Sequence, residues 1–474
     1  MDFEELARHD PSSLALVLDS PFRRLSYGEL IAEVGKWRDV LSRFGPGSCG
    51  ILVSANELFC VALYLASQFE RQVLLLIGDD SPLGELVAEY APAYVVQARS
   101  LAVPAGYVRN EAPDTGCSFF TPALRGESLS QPRPFAALRL LLSTSGSTGS
   151  KKFARLSAGN LSCNADAIAR GLRIERRDIG LLYMPLDYSY GLSILNSHFY
   201  VGAAIALTKR SIVSPDFWQF ASASQCTFFP GVPQTYRVLQ TLQWHPRACP
   251  TIRCLTQAGG RLALHTIDHF HRLMAAVGGE MYVMYGQTEA TARMTILQSK
   301  DFEAKRGSVG LPIRGGAISL AEATDSEQLE LVYRGPNVML GYCTCRNDLS
   351  EADHCRGVLH TGDFATIDQD GYCFLQGRLK RIAKISGYRV ALDEIETLLT
   401  NSAALCCAVV ESAHGHIDIF VQTAGETFPE RRHRGETTLR AALPRLAGHC
   451  HFFRIDALPL TTNGKIDYRR LHSA

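Results

Sequence analysis

Hydrophobic side chains follow two different periods in the first hundred residues of the chain. They recur every three to four positions over residues 30–44, a spacing typical of an amphipathic helix. Residues 49–53 and 73–77 are short, continuous apolar runs, which predict buried strands. Strands that alternate with helices indicate βαβ units, so this region is predicted to form a mainly parallel sheet.

The same alternation returns in the middle of the chain. Strands are predicted at residues 205–207, 226–229, 254–256 and 281–284, and helices at residues 159–171, 233–241 and 264–276. Between the two α/β stretches, residues 107–135 are rich in proline and turn-forming residues, which predicts a long irregular connection.

From about residue 325 the pattern changes to short strands and turns, which indicates a small β-barrel-like subdomain. A basic turn at residues 377–384 then leads into an amphipathic helix, and we place a domain boundary near Lys380. The predicted fold is therefore α/β. Residues 1–379 form a large N-terminal domain of two α/β subdomains plus the small β-barrel-like subdomain, and residues 380–474 form a small α+β C-terminal domain.

The charge balance and the cysteines limit the classes of protein. The 474 residues include 48 basic and 47 acidic side chains, so no net field attracts nucleic acid or an anionic membrane. No run of about 18 apolar residues is present, and the N-terminus carries acids where a signal peptide needs bases. The 14 cysteines lack C-x-x-C spacing, which is typical of a reducing compartment. We expect a cytoplasmic protein that binds no nucleic acid and inserts into no membrane.

A loop of small residues after an apolar strand is the first candidate for chemistry. The strand is predicted at residues 137–142, and the loop consists of Thr144, Ser145, Gly146, Ser147, Thr148 and Gly149. Because every loop side chain is absent or ends in a hydroxyl, backbone N–H groups can turn inward and form a nest for phosphate. Lys151 and Lys152 add positive charge, and the helix predicted from residue 159 would point its N-terminus at the phosphates. The alternative is an ordinary Ser/Thr/Gly surface turn.

Four further motifs favour the phosphate site over a surface turn. They are Tyr285-Gly-Gln-Thr-Glu289, His360-Thr-Gly-Asp363, the basic segment from Gly377-Arg378, and Pro459-Leu-Thr-Thr-Asn-Gly-Lys465. With the loop, and in this order along essentially the whole chain, they resemble the adenylate-forming superfamily of acyl-CoA synthetases, carrier-protein ligases, peptide-synthetase adenylation domains and luciferases.

The resemblance implies an AMP-forming acid–thiol ligase that uses ATP and Mg²⁺. Such an enzyme activates a small or medium carboxylic acid as acyl-AMP. It then passes the acyl group to the thiol of coenzyme A, or to the phosphopantetheine of an acyl or peptidyl carrier protein, after the mobile C-terminal domain rotates. We expect a monomer or a homodimer.

The resemblance also assigns site residues. Lysine suits the negative charge that builds up on phosphoryl oxygens, so Lys465, Lys152 and Thr148 are expected to act in catalysis, with Glu289 also holding Mg²⁺. Lys380 occupies the hinge position, and Gly387 lies where the family lines the thiol tunnel. The nucleotide is expected to contact Thr144, Ser145, Gly146, Ser147, Thr148, Gly149, Lys152, Gly259, Gly260, Tyr285, Gly286, Gln287, Thr288, Asp363 and Arg378.

The identity of the acid depends on a pocket that the sequence describes only in outline. Its walls are predicted to be Asp187, Tyr188, Phe229, Gly231 and Ala258. Asp187 has two interpretations: it pairs with the α-ammonium of an amino acid, or it caps a helix that begins beside Tyr188. The first would make the chain an amino-acid-activating, carrier-loading enzyme, although an alignment anchored on Pro185 favours the acyl-CoA synthetase register.

A third interpretation is a nucleotide- or acyl-binding homologue that has lost turnover. Such a protein would lack Lys465, Glu289 or Asp363, and all three are present. The chain departs from the family pattern at Lys151, where proline is usual, and at Phe153, where glycine is usual.

Overall fold

The structure is a computed structural model that describes residues 6–98, 102–114, 116–123, 133–144, 152–322, 329–385, 388–412, 416–423, 427–461 and 464–471. Within these ranges the backbone alone is described at positions 380, 382, 384, 385, 388–390 and 445. The helices are α1 Tyr27–Leu41, α2 Leu58–Phe69, α3 Leu83–Tyr90, α4 Ala158–Gly171, α5 Ser189–Val201, α6 Pro215–Ala223, α7 Pro233–Thr241, α8 Leu264–Ala275, α9 Leu392–Ser402, α10 Phe428–Ala442 and α11 Pro444–Ala447.

Most strands fall in two long groups along the chain. The first group is β1 Leu14–Leu18, β2 Arg23–Ser26, β3 Cys49–Val53, β4 Val73–Ile77, β5 Tyr94–Ala98, β6 Tyr107–Asn110, β7 Cys117–Pro122, β8 Leu138–Ser143 and β9 Phe153–Ser157. The second is β10 Ile179–Leu182, β11 Ala204–Leu207, β12 Phe228–Gly231, β13 Cys254–Gln257, β14 Glu280–Tyr285, β15 Thr295–Leu297 and β16 Leu311–Pro312.

The remaining strands are shorter or belong to small sheets. They are β17 Ala317–Glu322, β18 Leu329–Arg334, β19 Gly341–Cys343, β20 Val358–Ile367, β21 Cys373–Arg378, β22 Ile382–Ile385, β23 Tyr388–Ala391, β24 Cys407–Glu411, β25 Ile417–Gln422 and β26 Cys450–Ile455.

Two large sheets form the α/β part of the molecule. The eight-stranded sheet has the order β19-β9-β8-β4-β3-β5-β7-β6, and the nine-stranded sheet has the order β16-β15-β14-β13-β12-β10-β11-β1-β2. The inner strands of both sheets pair in parallel, as the alternating pattern predicts. One hydrophobic cluster contains strand residues of both sheets, among them Leu74 and Tyr282, together with α2 and α5. The two helices are therefore covered on all sides.

Three strands cross between the α/β subdomains, which the local pattern does not predict. The first hairpin, β1-β2, joins the second sheet, where β1 pairs in parallel with β11. Strand β19 returns from the later part of the chain and pairs with β9 in the first sheet. Because of these crossings, the two subdomains form one interlocked core.

The remaining described sheets are small. Strands β17, β18, β20 and β21 form an antiparallel sheet, which corresponds to the predicted β subdomain. Strands β24, β25 and β26 form a three-stranded sheet whose core includes Ile395 of α9 and Leu439 of α10. Lys380 lies in the 3₁₀ turn Leu379–Arg381 between β21 and the hairpin β22-β23. The boundary at this position stays a prediction.

Two local predictions were wrong. Residues 107–135 contain the antiparallel hairpin β6-β7, which continues the first sheet, so the segment is not a purely irregular connection. The helix α4 does not point its N-terminus at the phosphate loop, because strand β9 lies between them. Its cap residue, Ser157, pairs with Leu138 at the start of β8, whereas the loop follows Ser143 at the end of β8. In the part of the chain that is described, no helix is long and apolar enough to cross a membrane.

Candidate active site

The Lys465 turn is seated on the N-terminal part of the molecule. The turn is closed by a bridge between Leu460 and Ile466 and by the N–H of Thr461, which donates to the carbonyl of Lys465 at 2.7 Å. Gly464 has a φ of +71°, and a Cβ at this position would lie 3.3 Å from Cγ2 of Val232, just after β12. The turn therefore delivers Lys465 to the carboxyl end of a central strand.

Lys465 meets residues from three other motifs. Its Nζ lies 5.7 Å from the ring centre of Tyr188. Burial, with a smaller contribution from the nearby Arg378 cation, lowers the pKa of Lys465 to about 8, while the Glu289 and Asp363 carboxylates oppose this shift. The structure thus brings together in one site four charged residues that the sequence places far apart.

Asp363 is the centre of the hydrogen bonds in this site. It lies on β20, is only 4% exposed, and pairs in register with Arg378 of β21. Its Oδ2 accepts from the Tyr285 hydroxyl at 2.5 Å and from Nε2 of Gln287 at 2.8 Å, and its Oδ1 accepts from Nε of Arg378 at 2.9 Å. Burial, followed by the Asp363 charge, raises the pKa of Tyr285 well above its usual value. Asp363 therefore holds three predicted nucleotide contacts in place.

Glu289 lies on the 3₁₀ turn Thr288–Ala290 that follows β14. The hydroxyl of Tyr342 donates to Oε1 of Glu289 at 3.0 Å, and Nζ of Lys152 lies 5.5 Å from the centre of the same tyrosine ring. On the same turn, the Thr288 hydroxyl donates to Oγ of Ser189 at 3.1 Å. Tyr342 therefore connects the acidic motif to the end of the predicted phosphate loop.

The strands on either side of that loop form an antiparallel pair. Ser143 of β8 is the register partner of Phe153 of β9, and the N–H of Thr144 donates to the carbonyl of Lys152 at 3.1 Å. Both ends of the loop thus lie beside Tyr342, since Phe153 also pairs with Cys343 of β19. The remaining predicted loop residues lie outside the described part of the chain: Ser145, Gly146, Ser147, Thr148 and Gly149.

Tyr188 lies at the junction between Lys465 and the strand ends. It is 8% exposed, and Gly259, with a φ of +83°, approaches it so closely that a Cβ would overlap the Tyr188 hydroxyl oxygen. Gly260 likewise faces Pro233, at 3.1 Å from the position of a Cβ. Ala258 is buried beside them, and its N–H donates to the carbonyl of Gly231 at 3.1 Å. The glycine pair therefore makes room for Tyr188 and Pro233.

Two predicted contact residues have packing roles. Phe229 is fully buried in an aromatic cluster, where its ring stacks on Tyr183 and Trp218 at centroid distances of 5.7 and 5.5 Å. Its prediction as a pocket wall was wrong, because adjacent residues of a strand face opposite sides of the sheet. A Cβ on Gly286 would overlap the carbonyl oxygen of Ala292, so the backbone requires glycine at this position, and its contact with the nucleotide stays a prediction.

Asp187 faces the first α/β subdomain. The hydroxyl of Ser54 donates to its Oδ1, and Gly78 lies beside its Oδ2. Burial raises the pKa of Asp187, and the charges of Asp80 and Asp79 raise it further. Its prediction as the cap of α5 was wrong, since Tyr188 is the cap residue and receives no side-chain cap bond.

The hinge residues are described only in part. The side chain of Lys380 and the whole of Gly387 lie outside the described residues. Arg261 connects the two sides of this segment: its Nη1 donates to Oγ1 of Thr397 in α9 at 2.7 Å, and its Nη2 donates to the carbonyl of Leu375 in β21 at 2.9 Å. The C-terminal region is therefore held against the core near the hinge as well as at Lys465.

Comparison with known proteins decides the family. A model of the family "AMP-binding enzyme" matches residues 3–343. The chain belongs to the AMP-binding enzyme family. Over 388 residues it is 27% identical to a 2-succinylbenzoate–CoA ligase of Bacillus velezensis, covering 79% of this chain and 78% of that protein. It is 29% identical to an L-proline–[L-prolyl-carrier protein] ligase of Streptomyces coelicolor, covering 70% of this chain and 65% of that one.

The solved structures show the same fold. An O-succinylbenzoate coenzyme A synthetase of Bacillus subtilis, in complex with ATP and a magnesium ion, superposes with a TM-score of 0.75 at 21% identity, covering 100% of this chain and 99% of that one. Membership of the family, the α/β fold and an AMP-forming ligase activity are thereby confirmed. The prediction that the enzyme uses ATP and Mg²⁺ is confirmed by these matches.

Sequence reasoning missed two residues of this AMP-binding enzyme. Tyr342 had no sequence signal, because its approach to Glu289 depends on the pairing of β19 with β9. Arg293, four positions after Glu289, also had no sequence signal. Its side chain is only 3% exposed, and nothing in the sequence pattern around it indicates this burial. Only packing identifies a buried arginine.

Proposed function

We propose that this AMP-binding enzyme adenylates a carboxylic acid with ATP and Mg²⁺ and then transfers the acyl group to a pantetheine thiol. The observation that carries the proposal is the convergence of Lys465 on Arg378, Glu289 and Asp363. With a pKa near 8, Lys465 remains largely protonated at pH 7. Its ammonium group is therefore suited to stabilise the negative charge that develops as the acid attacks the α-phosphate.

The hydrogen bonds of Asp363 support its proposed role at the ribose. An ionised carboxylate has about four acceptor positions, and Tyr285, Gln287 and Arg378 occupy three of them. The remaining position, on Oδ1, suits a ribose hydroxyl, and Arg378 suits a ribose or phosphate oxygen beside it. Tyr285 is proposed to stack on adenine.

The phosphates are assigned to the hairpin loop that Thr144 begins and Lys152 ends. Lys152 and Glu289 both contact Tyr342, so the cation and the carboxylate border the same side chain. Glu289 offers hard oxygen ligands of the kind Mg²⁺ prefers, with the nucleotide's own oxygens completing the shell. Bound Mg²⁺ neutralises charge on the phosphates.

The second step requires the C-terminal region to move. The Lys465 turn contacts Val232 at Gly464, and Arg261 bonds to both Thr397 and Leu375, so this arrangement is the one suited to adenylation. We propose that rotation about Lys380 withdraws Lys465 and brings the segment of Gly387 to the acyl-adenylate. The acceptor is coenzyme A or the phosphopantetheine of a carrier protein, in agreement with the two kinds of ligase among the relatives.

The amino-acid-activating alternative depends on Asp187. Its described contacts are with Ser54 and Gly78 of the first α/β subdomain, whereas Lys465 lies beside Tyr188, so the Asp187 carboxylate is engaged outside the proposed acid site. We therefore favour a non-amino acid. Including L-proline and other amino acids among the candidate substrates tests this choice.

Pyrophosphate exchange with Lys465→Ala tests the adenylation step. The variant should still bind ATP, because the contacts of Asp363 and Tyr285 are unchanged, but acid-dependent exchange should fall by about 100-fold or more. Lys465→Arg is the matched control, since it keeps the charge. Undiminished exchange by Lys465→Ala would contradict the role of this residue.

Acceptor competition tests the second step. Coenzyme A and a phosphopantetheinylated carrier protein are offered together to preformed acyl-adenylate, and transfer to neither would contradict the proposed thiol ligase. The predicted cytoplasmic location and the monomeric or homodimeric state stay predictions, and light scattering of the purified chain measures the latter.

A further inference from the structure

Arg293 is a buried cation with weak partners. Its Nε donates to Sδ of Met284 at 3.3 Å and its Nη2 donates to Oγ of Ser193 at 3.3 Å. Its guanidinium lies 4.1 Å from the ring centre of Tyr190. Within the described residues, none of these partners is an anion or a backbone carbonyl. Burial lowers the pKa of Arg293, which means that the surroundings do not compensate its charge well.

A second buried arginine shows how this protein satisfies a structural guanidinium. Arg155 is fully buried, and its Nη1 and Nη2 donate to four backbone carbonyls, those of Leu340, Asp348, Glu351 and Ala352, at 2.5–3.2 Å. Its Nε is the one nitrogen of this guanidinium that has no partner among the described residues. A thioether and a hydroxyl are much poorer acceptors than these carbonyls. The packing of Arg293 therefore leaves hydrogen-bonding capacity that the protein itself does not use.

Arg293 lies next to the proposed acid site. Its charge acts on Tyr188, whose ring is the neighbour of the Lys465 ammonium. Tyr190, on which its guanidinium lies, is fixed to the strand end by a hydrogen bond from its hydroxyl to the carbonyl of Thr256 at 3.0 Å. Lys465 and Arg293 are therefore two cations that both border Tyr188, with Arg293 on the buried side.

A small cavity lies beside Ser193, a hydrogen-bond partner of Arg293. Ser193, which accepts from Nη2, borders a cavity between α4 and α5 that is further lined by the polar residues Asn164, Ser189, Asn196 and Thr291. Oδ1 of Asn164 is buried and has no hydrogen-bond partner among the described residues. The cavity also reaches Leu142, one residue before the end of β8, where the phosphate loop begins. Its other lining residues are apolar, namely Leu161, Ala165, Ile168 and Leu192, and its volume of about 10 Å³ is that of about one water molecule.

We propose that Arg293 binds a second anionic group on the acid, so that the substrate is a carboxylic acid with another carboxylate, or a comparable anion, at its far end. The inference rests on the proposed adenylation function. One carboxylate reacts near Lys465, and the other end of the molecule passes Tyr188 and forms a charge-assisted, bidentate pair with the guanidinium. An acid without the second anion leaves Arg293 buried and unpaired, so the pocket discriminates strongly against it.

Matched pairs of acids test the proposal. Pyrophosphate exchange is measured with succinate, glutarate and adipate against butanoate, pentanoate and hexanoate, which differ only in the second carboxylate. For the best chain length we expect kcat/KM to favour the diacid by on the order of 100-fold. In Arg293→Met this ratio should fall to about 1, through a higher KM for the diacid, while the KM for ATP stays unchanged. Arg293→Lys should keep part of the preference, because the charge remains.

A binding measurement separates recognition from turnover. The preferred diacid should raise the thermal midpoint of the wild-type protein and leave that of Arg293→Met unchanged, and an intact melting transition shows that the variant folds. Equal use of mono- and diacids by the wild type, or an unchanged preference in folded Arg293→Met, would overturn the proposal for Arg293. Exchange with monoacids alone leaves the adenylation function standing and overturns only this inference. Exchange with neither series overturns the adenylation function for acids of this size and the inference with it.

Discussion

The surroundings of Arg155 and of Arg293 show two ways in which one protein buries the same charged group. Around Arg155, the chain from Leu340 to Ala352 turns its carbonyls inward, so the charge holds that segment in place. Around Arg293, the acceptors are a thioether, a hydroxyl and an aromatic ring. A charge that the fold satisfies stabilises structure, whereas a charge that the fold leaves unsatisfied is available to a ligand.

The two regions meet at one strand. Gly341 of β19 packs over the guanidinium of Arg155, and the next residue, Tyr342, reaches Glu289. Arg155 thus supports the strand that carries Tyr342, which contacts Glu289. Arg293 is linked to Glu289 differently, since it follows this residue by four positions in the chain.

The largest expected effect is a difference in the free energy of unfolding between variants of the two arginines. Arg155→Met should lower the free energy of unfolding by about 3–5 kcal/mol, because it leaves buried carbonyls without donors. Arg293→Met is the matched variant and should change this free energy by less than about 1 kcal/mol, or raise it, since a poorly paired buried charge is replaced by an apolar side chain of similar volume. Denaturant unfolding measures both, and similar losses would show that the fold relies on the two equally.

A smaller effect concerns the pH dependence of Lys465, the other cation that the site leaves open to a ligand. Burial lowers its pKa to about 8, so the ammonium is present below this pH and is lost as the pH rises above it. Adenylation should therefore be about tenfold slower at pH 9 than at pH 7. Lys465→Arg should shift this alkaline limb upward, because guanidinium keeps its charge. An alkaline limb at the same pH in Lys465→Arg would assign the titration to another group.

The smallest expected effect comes from a change in β19, the strand that links the surroundings of Arg155 to Glu289. Tyr342→Phe removes the hydrogen bond to Glu289 but keeps the ring beside Lys152. We expect a loss of about 1 kcal/mol in transition-state stabilisation, or roughly fivefold in kcat/KM, with a higher requirement for Mg²⁺ and unchanged unfolding. A Mg²⁺ titration of the exchange rate measures it, and a loss of stability without a change in Mg²⁺ dependence would make Tyr342 structural, like Arg155.

The sequence predicted the elements well where a single rule governs them. Strands β3 and β4 were predicted at their observed bounds, because a continuous apolar run between turn residues has few alternatives. The crossing of β1 and β2 into the second sheet was not predicted, since the choice of sheet depends on contacts between residues nearly two hundred positions apart, such as Leu16 and Ile205.

The predictions for the site show the same division between residues that a motif identifies and residues that only packing identifies. Lys465, Glu289, Asp363 and Arg378 were predicted because each belongs to a motif with fixed spacing, and the structure brings them together, while their roles stay predictions. Phe229 was wrong because the side of the sheet that it faces depends on packing. Arg293 was missed for a related reason: an arginine in the sequence is normally exposed, and only tertiary contacts place it inside.

The seat of the Lys465 turn on Val232 links the occupancy of the acid pocket to the position of the C-terminal region. Val232 also borders the Gly259 position, whose other neighbour is Tyr188. An acid that packs against Tyr188 more tightly when the turn is docked favours the docked arrangement, and by thermodynamic reciprocity docking tightens binding of that acid by the same factor. For such an acid, affinity is a property of both regions together, and it should weaken whenever the Lys465 turn swings away for the second step.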